Sequence, residues 1–434
     1  SPGTQYRYTL KPPLLARPDD GGTPDGFRGT ARIPFRTAEV LGEPALCGID
    51  PIVKLSVVTD RGLRSVGFWD FNNYVQSALY QPGAGWQDPV VLRGGRTGKP
   101  SIASSGDEAA LAFAGVQVPG MLGGYQLFFA RLGDAGWTTP VALTFDAGQL
   151  DPDTQSLAVD SNGRALLAWR GSEVEFWAMQ GTPAAGFSPP RQLFVTDVNS
   201  PSNAVTAASR NGQDLVLFRA YQADAGGAAV THAARFDGTS WAADHVLEPG
   251  NASSMQGLTP AVDGEGNMLA FWHANGNWTG ALYRADAGWQ PPAVVEAAGT
   301  GSACTDAPPL VVGRPHGFVV AACETTPDRG VFTRTWDPAT ASWSAPTILS
   351  TPGMNLLQFD FSAPSGEAAV MWWRDSGGPL QWRALTNGTW SAASSLPNAP
   401  LNLVKSSISS SGKVMFSWET QVGSFSYSGA LSAN

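Results

Sequence analysis

The chain is poor in charge: Asp, Glu, Lys and Arg make up 15% of its 434 residues, against roughly 25% in average soluble domains. Its 27 basic residues are outnumbered by 36 acidic ones and do not cluster, so the electrostatic footprint of nucleic-acid binding is missing. No run approaches the roughly 18 to 20 apolar residues that cross a bilayer, and Ser1 to Gly3 does not open a signal peptide. Histidine is scarce as well. Only His232, His245, His273 and His316 are available, and no nucleophile elbow, His-Glu-x-x-His motif or phosphate loop accompanies them. Three cysteines cannot all pair, and no His stands at metal-ligand spacing from them.

What the chain has is 50 Gly, 33 Pro, 16 Trp and 43% hydrophobic residues. Gly and Pro at that level disfavour helix, while the apolar content excludes a disordered chain. Short strands joined by many turns are expected.

A repeat organises those residues. An aromatic-x-x-Pro-x-x-Leu phrase begins at Trp86, Trp137, Phe187, Trp241, Trp289, Trp343 and Trp390, at a mean spacing of about 51 residues. Its proline position holds Pro89, Pro140, Pro190, Asp244, Pro292, Pro346 and Ala393. A second phrase, a Gly turn followed by apolar residues and an aromatic, runs from Gly163 to Trp169, Gly212 to Phe218, Gly266 to Trp272, Gly366 to Trp372 and Gly412 to Trp418. A further apolar run, such as Tyr125 to Ala130, lies between the two phrases.

Each period therefore supplies four short strands, here lettered A to D, which is the unit of a β-propeller. Proline in strand D fits an outer edge, where a missing N–H costs no ladder bond. After Trp390 the chain ends before another D strand, and one period before Trp86 stands an eighth copy, Phe35 to Leu41. The expected fold is all-β: an eight-bladed propeller of four-stranded antiparallel blades over residues 32–434, its last blade closed by an N-terminal strand. Seven blades is the alternative. Residues 1–31 read as an arm and a flexible linker suited to a surface tether.

In such a disc the B–C and D–A loops share one face, and here the B–C loops vary in length while the A–B and C–D turns are short and regular, which marks the loop face for binding. The residues expected at its mouth are Asp70, Arg170, Arg219, His273, Glu324, Trp373 and Glu419, with Arg374 and Asp375 completing a cluster. Asp70, Glu324, Asp375 and Glu419 could supply a carboxylate pair for glycosidic cleavage. Cys304 and Cys323 are expected near one another at one end of an A–B hairpin and are the expected disulfide, with Cys47 free or an alternative partner. Asp146, Asp151 and Asp153 form an acidic loop in which Ca²⁺ is the alternative to a solvated turn.

The stretches from Asp160 through Gly163 to Trp169, and from Asp263 through Gly266 to Trp272, resemble the repeats of secreted bacterial propellers of the broad sialidase-like group. The Trp-x-x-Pro-x-x-Leu strand is similar to that of propeller lectins. The resemblance lies at the level of the repeat and implies a propeller. Arg32, Ile33 and Pro34 match the sialidase Arg-Ile-Pro, whereas the Ser-x-Asp-x-Gly-x-Thr-Trp boxes are absent.

The resulting expectation is a secreted or surface-tethered bacterial binding or adhesion protein that recognises a protein or glycan without catalysis, in an extracellular, periplasmic or outer-surface location. A polysaccharide-active enzyme and an assembly scaffold are the alternatives.

Overall fold

The computed structural model describes residues 45–47 and most of 53–433, the gaps falling between strands. The arm at 1–31, the Phe35 to Leu41 phrase, Cys304, Glu324, Asp146 and Asp151 to Asp153 lie outside the described residues.

Among the described residues the chain is all-β and contains no helix, hence none long and apolar enough to cross a membrane. The strands form eight antiparallel sheets, numbered here by their first strands: Val53–Val58, Ser101–Ser105, Ser156–Val159, Ala204–Arg210, Gln256–Val262, Leu310–Gly313, Leu356–Ser362 and Asn402–Ile408. Within the first seven sheets, hydrogen-bonded order follows chain order. In the third, Ser156–Val159 pairs with Ala165–Arg170, which pairs with Glu175–Thr182. In the eighth, Ala45–Cys47 pairs with the third strand, Phe425–Ala433.

The outer strand departs from expectation in being split. Gly186–Phe187 and Arg191–Val195 both pair with Glu175–Thr182, on either side of Pro190. Thr or Ser one residue past the aromatic bridges the break with its side chain. Ser188 donates its N–H to the Gln180 carbonyl (2.7 Å) but receives the Gln180 N–H on its hydroxyl (3.3 Å), where a regular ladder would use a carbonyl. Thr138 with Arg131, Ser344 with Thr335 and Ser391 with Ala384 repeat the exchange. The sequence thus satisfies an inner-strand N–H before the chain turns away toward the proline.

Adjoining sheets pack face to face. Leu166, Ala168 and Phe176 of the third sheet meet Val216 and Phe218 of the fourth; Leu269 and Phe271 of the fifth meet Phe318 and Val320 of the sixth. Alternation along each second strand sends one set of side chains to the preceding sheet and the other to the following one. Ala165, Leu167 and Trp169 thus face the second sheet, Met268, Ala270 and Trp272 the fourth, and Ala369, Met371 and Trp373 the sixth. Trp382 of the seventh sheet meets Phe416 of the eighth at 5.6 Å. The eighth and first sheets meet in turn: the Val58 N–H donates to Ser407 Oγ at 3.1 Å, and Asp60 accepts the Ser411 N–H at 2.6 Å.

Candidate functional site

The expected mouth residues other than Glu324, which lies outside the described residues, sit on second strands toward their C-terminal ends. Arg170 ends its strand, 7% exposed, its N–H donated to Thr154 Oγ1 at 3.3 Å. The half-buried Arg219 donates to the Tyr221 hydroxyl at 3.3 Å. His273 packs on Trp278 with ring centroids 4.7 Å apart. Asp70, Arg374, Asp375 and Glu419 occupy Arg64–Asp70, Ala368–Asp375 and Val414–Val422, and their side chains lie outside the described residues. Trp373 requires a correction. It is a core side chain, fully buried between the sixth and seventh sheets in the place that Trp169 and Trp272 hold in theirs. The second strand reaches its aromatic one residue later than the count from Gly366 predicts, so Arg374 is the first residue beyond it.

A concave site lies at the opposite ends of these strands, where the A–B and C–D turns of neighbouring sheets meet. It is a cleft of about 580 Å³ between the fifth and sixth sheets, lined by Glu265, Asn267, Arg284, Asp286, His316, Trp336 and Asp337. Two hairpin turns build its walls. In the fifth sheet Asp263, 1% exposed, organises the turn by accepting the N–H groups of Glu265 (2.9 Å) and Asn267 (2.8 Å) on one oxygen. Its other oxygen takes the Asn267 side-chain amide (2.8 Å) and, across the sheet boundary, the Gly317 N–H at 3.1 Å. Burial raises the Asp263 pKa above the ordinary carboxylate range, and the donors around it pull the other way. Gly317, at φ +75°, has no room for a Cβ against the Trp336 carbonyl, so this turn closes onto the third strand only as glycine.

The charges around the cleft are largely engaged. Glu265 Oε1 meets His316 Nδ1 at 2.8 Å, joining the two sheets across the mouth. Arg284 grips Asp286 through two bonds of 3.0 and 2.9 Å. Asp337 accepts the Ala339 N–H at 2.9 Å and the Thr340 hydroxyl at 3.0 Å, which folds its own turn. Trp336 is half-buried, tilted against Trp343 at 5.4 Å.

Sequence reasoning missed this site because it treated the A–B and C–D turns as regular scaffold. A signal was nevertheless there: the residue paired with the outer aromatic is Tyr80, Phe236, Tyr283 or Trp336 in four of the sheets. No group of three or more potential metal ligands gathers among the described residues.

No protein-family model matches the chain, and no curated protein matches it in sequence. Among solved structures it is similar to an ulvan lyase, a polysaccharide lyase bound to a glucuronate and sulfated-rhamnose fragment, at 11% identity over 79% of this chain and 93% of that one (TM-score 0.45). It is also similar to a post-proline cleaving enzyme from Rickettsia typhi, at 11% identity over 85% of this chain and 58% of that one (TM-score 0.47). A third similarity is to the fucose-recognising lectin of Aleuria aurantia, a six-bladed β-propeller, at 12% identity over 69% of this chain and 95% of that one (TM-score 0.36).

Proposed function

We propose that the chain is an eight-bladed β-propeller, closed where Ala45–Cys47 joins the eighth sheet, and that it serves as a non-enzymatic binding module exposed on or outside a bacterial cell. The ring reading is supported by the first strands, which lie beside one another in chain order from the first sheet to the sixth and from the seventh to the eighth, with the eighth beside the first. The sixth and seventh sheets share a core. Eight packed units, with Ala45–Cys47 and Phe425–Ala433 paired in one sheet, leave no seam edge unpaired.

Binding without catalysis is carried by one observation. The cleft offers an aromatic wall, while its carboxylates are each held by a neighbour: Glu265 by His316, Asp286 by Arg284, Asp337 by its own turn. A glycosidase pair needs one acid kept protonated and another free to attack or to activate water. Side chains locked in ion pairs and turn caps suit recognition better. The purified protein should capture a partner without turnover, and capture should be lost in Trp336→Leu while the protein retains its melting transition. Cleavage of any polysaccharide in a substrate panel would restore the enzyme reading.

A further inference from the structure

Four sheets place an aromatic opposite the first residue pair of the outer strand: Tyr80 against Trp86, Phe236 against Trp241, Tyr283 against Trp289 and Trp336 against Trp343. In three of them an arginine of the protein covers that ring. Arg64 lies over Tyr80 at 4.5 Å, Arg164 over Phe236 at 5.1 Å and Arg235 over Tyr283 at 4.5 Å, each measured to the ring centroid. For the last two the guanidinium comes from the preceding sheet. At the boundary of the fifth and sixth sheets the residue in the place of Arg235 is Leu282, which packs into the core beneath Trp336. There the cleft opens beside Trp336, and its lining carries three carboxylates, Glu265, Asp286 and Asp337, against the single guanidinium of Arg284.

We propose that this cleft receives a guanidinium group, presented as an arginine side chain by a protein partner. The inference rests on the binding-module reading and names its ligand. Its chemistry is that of the neighbouring sheets with the cation supplied from outside. A planar, weakly hydrated guanidinium stacks on an indole face while its N–H groups reach carboxylate oxygens that still have lone pairs to spare. Asp286 and Glu265 each retain acceptor capacity beyond the bonds described, since an ionised carboxylate offers about four lone-pair sites. A chain with a formal charge of −9 also attracts basic partners over distance.

The test uses the whole protein and two small probes, N-acetyl-arginine amide and its neutral isostere N-acetyl-citrulline amide. The Trp336 indole N–H signal, identified by its loss in Trp336→Phe, should move on titration with the arginine probe and stay in place with the citrulline probe. Glu265→Gln and Asp337→Asn should each weaken the arginine probe about fivefold. Leu282→Arg, which restores the internal cation, should abolish its binding. If Leu282→Arg does not fold, Trp336→Leu is the second variant and should abolish binding while the protein retains its melting transition. An unmoved signal, or equal shifts with both probes, overturns the proposal. If instead an oligosaccharide moves the Trp336 signal and arginine does not, the guanidinium assignment falls and the binding-module reading stands. Polysaccharide turnover would remove the reading itself.

Discussion

The carboxylate of Asp263 in the fifth sheet accepts the backbone N–H of Gly317 in the sixth at 3.1 Å. Asp160 of the third sheet does the same two boundaries earlier, taking the Gly212 N–H of the fourth sheet at 3.1 Å while its other oxygen organises its own turn. One side chain thus sets a hairpin and ties it to the next sheet. Asp263→Asn keeps the size but turns one acceptor into a donor, which then faces the N–H of Gly317 or the amide of Asn267. The expected loss is about 1 to 3 kcal/mol, the cost of a buried group left unsatisfied. Urea unfolding measures it, with the exposed Asp286→Asn as the comparison that stays within about 0.5 kcal/mol.

Trp373→Ala should behave as a core truncation. The side chain is fully buried against Val319, Ala321 and Met371, so the expected loss is about 3 to 5 kcal/mol. A change in ligand affinity at unchanged stability would contradict the burial.

The repeat was legible because its marks are chemical necessities. Gly163 and Gly266 hold turns at φ +74° and +85°, the apolar alternation of Ala165–Arg170 is fixed by burial on both faces, and Pro190 ends a ladder segment. Two things escaped. The one-residue slip at Trp373 was invisible because Trp372 and Trp373 are both large and apolar, and only the facing sheet decides which of them fills the Trp169 position. The cleft was invisible because it arises from a difference between neighbours: Leu282 where the preceding sheet has Arg235. No single repeat contains that information.

Arg164 and Asp214 offer a second inter-sheet tie that a double-mutant cycle can weigh. Asp214 is 0% exposed and receives Arg164 Nη1 at 3.0 Å, Nη2 at 2.5 Å, and the Gln180 amide. Burial raises the Asp214 pKa, and Arg164 opposes that shift. Arg164→Ala leaves the carboxylate buried without its main partner and should cost about 3 to 5 kcal/mol. Adding Asp214→Leu should recover much of that loss, because both desolvation penalties disappear together. In Arg164→Ala alone, stability should rise as the pH falls through the raised folded-state pKa, since the neutral acid is the form that burial favours. A pH-independent deficit would show that the guanidinium contributes through packing on Phe236 instead.

The junction of the eighth and first sheets gives the opposite pH sign. Asp60 accepts the Ser411 N–H at 2.6 Å and the Ser410 hydroxyl, and Lys413 Nζ donates to its carbonyl at 2.6 Å. Burial alone would raise the Asp60 pKa, but the bonds from Ser410, Ser411 and Ser409 together outweigh it and hold the pKa below 3.8. A depressed carboxylate pKa contributes stability that is fully present above the unfolded value and is lost as the pH falls through the folded one. Melting curves of wild type and Asp60→Asn should therefore differ most at neutral pH, with the gap narrowing only below about pH 3.8. Because these bonds join residues some 350 positions apart in the chain, the same variant should loosen the contact between the eighth and first sheets. Hydrogen exchange reads this directly: the amides of Val58 and Ser411 should lose protection before those of the third and fourth sheets. Uniform exchange across all sheets would mean that the junction opens only with global unfolding and that Asp60 is not its clasp.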